Sequence, residues 1–253
     1  ENIFDSYSQI KKDDLKSLDL LTSKRDQLIK KNIDSSIQRK IFIATELLND
    51  ARILSTPQFS RMARLAFIGN QYLRGFVSKG IISDSERESF LLNIDTIASE
   101  LNKDFDRVIS KQLSVVEFNK LYGHLRPGTY DIKKLPYNKD SSYFSVSAEA
   151  NAKRKEKKVR KKNLVKFRKA IKDFLLNFEI SLSTNQLLNF IEQTTKYRES
   201  FKFEFTKNLS VALELLVDIG EKMSFDRAKL SQLSIESLMC INPSTAIPDI
   251  IDL

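Results

Sequence analysis

One stretch concentrates the side chains able to bind and move charged groups: Tyr122-Gly123-His124-Leu125-Arg126-Pro127-Gly128-Thr129-Tyr130-Asp131-Ile132. It holds the only histidine of the chain. An imidazole ordinarily titrates near neutrality and can serve as base or orienting group for a nucleophile. The guanidinium of Arg126, two residues on, is a permanent cation for carboxylate or phosphoryl oxygens. Thr129, Tyr122 and Tyr130 offer hydroxyls. Asp131 offers a carboxylate for an ammonium group or for fixing the imidazole tautomer. Two glycines permit positive φ and close approach of a ligand to the backbone. Cations against phosphoryl oxygens and a group that orients the nucleophile are what phosphoryl transfer needs. His124 and Arg126 are therefore the candidate catalytic residues, with Tyr122, Thr129, Tyr130 and Asp131 as candidate substrate-binding residues. A structural role stands beside this one, in which His124 and Asp131 tie the loop to a helix end.

Further cations could meet an anion. Arg198 and Lys202 stand one helical turn apart and face one direction, and Arg61 and Arg64 share a helix face. Glu199 and Glu204 could neutralise the first pair, which would make it a solvated face instead. Arg64, Arg198 and Lys202 complete the set of substrate-binding candidates. The segment Lys153 to Lys169 carries eleven Lys or Arg and one Glu, a local charge of +10. The whole chain carries +9, so the remainder sits at −1 and the basicity is one stripe. Nucleic-acid platforms interleave aromatics with charge, and this stripe has none before Phe167, so an interdomain or solvated surface is the stronger expectation. No metal-ligand pattern occurs. The lone Cys240 excludes an internal disulfide, reads as a small apolar residue near a helix end, and fits a reducing cytoplasm.

The elements that position these residues are helical. Only 6 Gly and 5 Pro occur in 253 residues, well below the usual usage of about 7% and 5%. Few tight turns are therefore available. Phe59, Met62, Ala63, Ala66, Leu73, Phe76 and Val77 form a helical stripe between Pro57 and Gly80. Ser83 with Glu86 predicts a capping box ahead of one helix carrying Phe90, Leu91, Ile94, Ala98, Leu101, Phe105 and Val108. Ser114 with Glu117 and Ser183 with Gln186 repeat the device. Leu20–Ile29 and Ile37–Leu54 read as two further helices, and Leu209, Leu213, Leu216 and Val217 as another near the end. The expected fold is all-α, a bundle-like module of at least seven helices with one long ordered loop at about 127–147. Residues 1–147 form the core with the loop, 148–163 a basic connector, and 164–253 a second helical subdomain with an extended tail. No apolar run reaches the roughly 18 residues of a membrane span, so no membrane partner is expected. The start at Glu1 suggests a chain excised from something longer.

The Tyr122–Ile132 string resembles the motif between the ATP-grasp and phosphohistidine parts of phosphoenolpyruvate-synthase-like enzymes, which include rifampin phosphotransferases. Phe59–Ile68, Ile94–Ser99 and Arg198–Ser210 are similar to three further blocks of that family, in the same order. The resemblance covers most of residues 56–240. In that family an ATP-grasp domain phosphorylates a histidine on a swivelling domain, which passes the phosphoryl group to an acceptor held by the intervening helical region. The resemblance thus implies an acceptor-binding region whose partners are a small-molecule acceptor and the ATP-grasp and phosphohistidine domains of the same protein. ATP and Mg would belong to the whole enzyme, with no cofactor bound by this region. The chain lacks a Gly-Gly-x-x-Ser-His string and a Gly-rich phosphate loop, so on its own it is expected to be inactive towards ATP. After Ile132 it reads Lys-Lys-Leu-Pro-Tyr-Asn-Lys-Asp where relatives continue Ser-Pro-Arg-Tyr-Asp-Glu. This form of the motif resembles that of the L-glutamine kinases that supply phosphoramidate for bacterial capsules, which implies an amino-acid acceptor.

Three readings leave the sequence: an acceptor-binding region of a histidine-relay kinase, a helical nucleic-acid-binding module acting through 153–169, and a helical scaffold without a ligand.

Overall fold

The computed structural model describes residues 3–30, 36–144, 165–234 and 237. Nine helices occur among them: α1 (Ile3–Lys30), α2 (Ile37–Leu54), α3 (Thr56–Ser78), α4 (Asp84–Leu92), α5 (Ile97–Ile109), α6 (Val115–Tyr122), α7 (Val165–Asn177), α8 (Thr184–Lys222) and α9 (Arg227–Leu230). No strand is present among the described residues, and no helix there is long and apolar enough to cross a membrane. The all-α bundle expected from the apolar periodicity is the observed architecture. Residues 145–147 of the expected loop, the 148–163 connector, most of the basic stripe and Cys240 lie outside the described residues.

The three expected capping boxes are formed. Ser83, Ser114 and Ser183 each accept the N3 backbone N–H, while Glu86, Glu117 and Gln186 return a bond to the cap. Each cap supplies about 1 kcal/mol by satisfying donors that a helix start leaves open. Two expectations are corrected. The single helix drawn through Phe90 and Val108 is two helices, because α4 stops at Asn93 and Thr96 starts α5 with its own reciprocal bonds to Ser99. Leu209 to Val217 do not lie on a separate helix. They belong to α8, whose 39 residues extend about 58 Å at 1.5 Å per residue.

The core is strung along α8. Towards its start, Leu187, Phe190, Ile191 and Phe201 pack with Met62, Leu73 and Phe76 of α3, Phe90 of α4 and Phe167 and Ile171 of α7. Towards its end, Leu213, Leu216, Val217 and Ile219 pack with Ile43, Ala44 and Leu47 of α2 and Leu230 of α9. Between these lies a smaller aromatic cluster of Phe118, Tyr122 and Phe144, with Phe105, Tyr137 and Phe203 against it. Buried polar bonds set the register of the long helices. Asn208 donates to the Leu47 carbonyl at 3.1 Å and accepts from Arg25 at 3.2 Å, while Arg25 also pairs with Glu204. α8 is therefore the fixed rail against which the 123–144 segment is mounted.

Candidate functional site

The 123–144 segment leaves α6 and folds back on itself. Tyr137 N–H donates to the Leu125 carbonyl at 2.9 Å and Asn138 N–H to the Gly123 carbonyl at 3.1 Å. Gly123 is required by this close approach, since a Cβ there would overlap the Asn119 carbonyl and stand 2.9 Å from Asn138 Cβ. The turn at Pro127–Tyr130 uses positive φ at Gly128 (+76°) and at Thr129 (+42°). Positive φ is strained for a β-branched residue such as Thr.

Arg126 mounts this segment on α8. Its guanidinium donates to Ser210 Oγ at 2.8 Å and to the Lys134 carbonyl at 3.1 Å, and lies 3.2 Å from a Glu214 carboxylate oxygen. Glu214 in turn holds Lys139 and Arg227, each at 2.7 Å. Arg227 also donates to the Ile132 carbonyl at 2.8 Å, closing a ring of bonds around the loop. Burial lowers the basicity of Arg126, against the opposing pull of Glu214. Its Nε is buried without a partner.

His124 turns towards α8. Its ring meets Phe203 edge-on, 4.8 Å between centroids, and Nε2 is buried without a partner. Burial, with Lys207 and then Arg25 and Arg126 nearby, pushes its pKa down to about 3. The imidazole is therefore neutral at physiological pH, and it is a much weaker base than a free histidine. Tyr122 is buried with its ring also edge-on to Phe203 and donates to Asp104 at 3.0 Å. Burial and that carboxylate push its phenol up to about 12, so it remains protonated.

A small cleft of about 200 Å³ opens beside this loop, lined by Ile97, Ala98 and Leu101 of α5, Leu125, Arg126, Thr129 and Tyr137 of the loop, and Glu199, Lys202, Phe203 and Thr206 of α8. Three of the residues singled out in the sequence meet here: Arg126, Thr129 and Lys202. The others are elsewhere. Tyr130 and Asp131 line a different surface depression with Leu213 and Leu230, Tyr130 is exposed, and Asp131 accepts the Lys133 N–H at 3.0 Å in a local turn. Arg64 is exposed on α3. Arg198 is taken up by Glu199. His124 and Tyr122 stand behind Phe203 rather than in the wall.

Glu199 enters the sequence reading only as a neutraliser of Arg198, with which it pairs, and Phe203 and Thr206 carry no role there, although their spacing from Lys202 carries a signal. Positions 199, 202, 203 and 206 fall at i, i+3, i+4 and i+7, one face of a helix. Tyr137 and Leu125 have no such signature, because only the fold-back of the loop brings them to the cleft.

No family model, curated protein or solved structure matches the chain.

The site must therefore be read from its chemistry. Lys202 supplies a cation with no carboxylate within ion-pairing distance among the described residues. Glu199 supplies a carboxylate whose Oε1 is held by Arg198, and Thr129 a hydroxyl on a strained turn. Apolar walls from α5 and Phe203 lower the local dielectric around Glu199, while Lys202 stays exposed. Among the described residues no group of three or more His, Cys, Asp or Glu could hold a metal ion.

Proposed function

We propose that this cleft is the acceptor site of a phosphotransferase that relays phosphate from ATP, through a phosphohistidine on another domain, to a small zwitterionic acceptor such as L-glutamine. The observation that supports it is the meeting of Arg126 and Thr129 with Lys202. These residues lie in two blocks that each resemble the phosphoenolpyruvate-synthase-like enzymes, and some seventy residues of chain separate them. A cation and a carboxylate on one helix face suit an amino acid, whose carboxylate would meet Lys202 and whose ammonium would meet Glu199. The volume suits a ligand of that size and little more.

In this reading the roles are divided differently from the sequence expectation. Lys202 is the cation available to an incoming phosphoryl group. Arg126 is committed to Ser210, Lys134 and Glu214, so it acts as the clasp that shapes the wall. His124, neutral and behind Phe203, positions that ring instead of taking the proton. ATP and Mg belong to domains outside this region.

Arg126's engagement also favours a second reading, in which the loop is a structural clasp and binds nothing. Thermal melting of the chain in increasing L-glutamine separates the two. A ligand that binds only the folded state stabilises it by RT ln(1 + [L]/Kd). The acceptor reading expects a concentration-dependent rise in Tm that Lys202→Met removes without lowering the unliganded Tm. A flat titration with L-glutamine and with other small amino acids would leave the clasp alone.

A further inference from the structure

A second pair of clefts lies around the turn that joins α7 to α8. The first, about 580 Å³, is walled by Phe4 of α1, Ile68, Tyr72, Gly75 and Phe76 of α3, Phe174 of α7, and Ile180, Leu182 and Leu187. It is apolar apart from Gln71, Lys79 and Ser181 at its margin. The second, about 410 Å³, is lined by Arg168, Lys169 and Lys172 of α7 and by Ser183, Thr184 and Asn185 at the start of α8. Leu175, Ile180 and Leu182 line both, so the two are neighbours across one short apolar wall.

The electrostatics of the second cleft are one-sided. Asp173 is the only carboxylate on α7, and neither it nor any other described carboxylate pairs with Arg168, Lys169 or Lys172. Arg168 instead donates to Asn185 Oδ1 at 3.3 Å, which holds its guanidinium against the first turn of α8. That turn contains no acidic residue, and its capping box is closed by the neutral Gln186. The positive end of a 39-residue helix dipole therefore adds to three cations that pair with no carboxylate among the described residues. An anion is the ligand that this charge would accept. The adjoining apolar cleft is within the size range of small-molecule sites, and its concave wall would enclose a chain.

We propose that the two clefts form one site for a single-chain anionic amphiphile: an alkyl chain in the Phe76–Phe174–Leu187 cleft, and a phosphate or carboxylate head among Arg168, Lys169, Lys172 and the α8 N-terminus. Charge complementarity selects the head, and the continuity of the walls at Ile180 selects a ligand with both parts in one molecule. The site is separate from the Lys202 cleft and does not depend on its assignment.

Calorimetric titration of the 253-residue chain with decyl phosphate, kept below its critical micelle concentration, tests this. Saturable binding of one molecule per chain is expected, with ethyl phosphate and a neutral decyl glycoside each at least tenfold weaker. Gly75→Leu should fill the apolar cleft and weaken binding at least tenfold. A Cβ at Gly75 meets nothing within 4 Å, and leucine is favoured over glycine inside a helix, so Tm should hold or rise and unfolding cannot account for the loss. Lys169→Glu with Lys172→Glu should weaken decyl phosphate at least tenfold and leave the neutral glycoside unchanged. Several molecules bound per chain, or full affinity in Gly75→Leu, would overturn the proposal. Binding to anionic vesicles that is indifferent to Gly75→Leu would assign the basic face to a bilayer surface instead. An acidic amphipathic peptide that binds where decyl phosphate does not would assign the groove to a protein partner.

Discussion

The Arg126 guanidinium lies 3.2 Å from the Glu214 carboxylate, which also holds Lys139 and Arg227 at 2.7 Å each. One half-buried carboxylate thus anchors three cations drawn from the loop and from α9. Two of these interactions would be cheap on an open surface, but Arg126 is almost wholly buried, so its charge depends on this partner.

Glu214→Gln should therefore destabilise the chain by about 3 kcal/mol, the low end of what breaking a buried pair costs, because a buried guanidinium is left without its counter-charge. Urea denaturation gives the value. Replacing both partners, as Arg126→Met with Glu214→Leu, should recover part of the loss, since two desolvated charges vanish together. A single variant within about 0.5 kcal/mol of wild type would mean that water reaches the pair.

Much of this architecture was legible in the sequence and some was not. Ser83, Ser114 and Ser183 announced their helices because a cap is a local device, settled by four consecutive residues. The break between α4 and α5 was missed because Thr96 uses a serine, Ser99, at the position where a glutamate or glutamine was sought. The length of α8 was missed because its buried face changes partners, from α3 to the loop to α2, and the apolar stripe shifts with them. The loop was found as a cluster of chemical side chains, yet the chain sorts them by burial: Arg126 inward to Glu214, His124 against Phe203, Tyr130 out to solvent. Such sorting depends on contacts between residues far apart in sequence, which spacing within an eleven-residue string does not encode.

His124 makes stability depend on pH above the range where carboxylates titrate. Its pKa is about 3 in the folded chain and about 6.5 when unfolded, so the unfolded state binds the extra proton between those values. Stability from this group is complete above pH 6.5 and falls as pH drops towards 3. Glu214 behaves in the same direction but lower. Burial raises its pKa, and the bonds from Arg227 and Lys139 outweigh that and hold it below the ordinary value, so its contribution is lost only beneath about pH 4.3. The fall in unfolding free energy between pH 6.5 and 4.5 should shrink markedly in His124→Asn. An unchanged slope there would show that the imidazole titrates alike in the folded and unfolded chain.

Gly123→Ala should lower stability by about 2 kcal/mol or more, within the usual cost of forcing an extra carbon into a packed site. The new Cβ would overlap the Asn119 carbonyl and stand 2.9 Å from the Asn138 Cβ, and the strap between Gly123 and Asn138 would have to lengthen. Chemical denaturation of Gly123→Ala beside Gly128→Ala distinguishes the causes, since a Cβ at Gly128 would meet only the Asp131 Cβ, at 3.3 Å, and its φ of +76° is one for which alanine costs about 1 kcal/mol. Equal effects at both positions would count against a packing role for Gly123.

Thr129→Gly should separate stability from binding. Thr129 holds φ at +42°, a region that a β-branched side chain enters at a cost of about 1–2 kcal/mol and that glycine enters freely. The greater entropy of glycine in the unfolded chain returns part of that gain. The net expectation is a Tm equal to or slightly above wild type. The hydroxyl of this residue, which lines the Lys202 cleft, is lost in the same substitution, so the L-glutamine-dependent rise in Tm should shrink by at least half if the acceptor reading holds. Strain retained at a binding residue is what a functional turn would show, and Thr129→Ser sharpens the comparison by keeping the hydroxyl without the β-branch. Thr129→Ser should bind as wild type does and Thr129→Gly should not. If both keep the full ligand-induced rise, the hydroxyl is not a ligand contact; if Thr129→Gly melts well below wild type, the turn is not strained and its conformation is set by threonine packing against Tyr137 and Lys202.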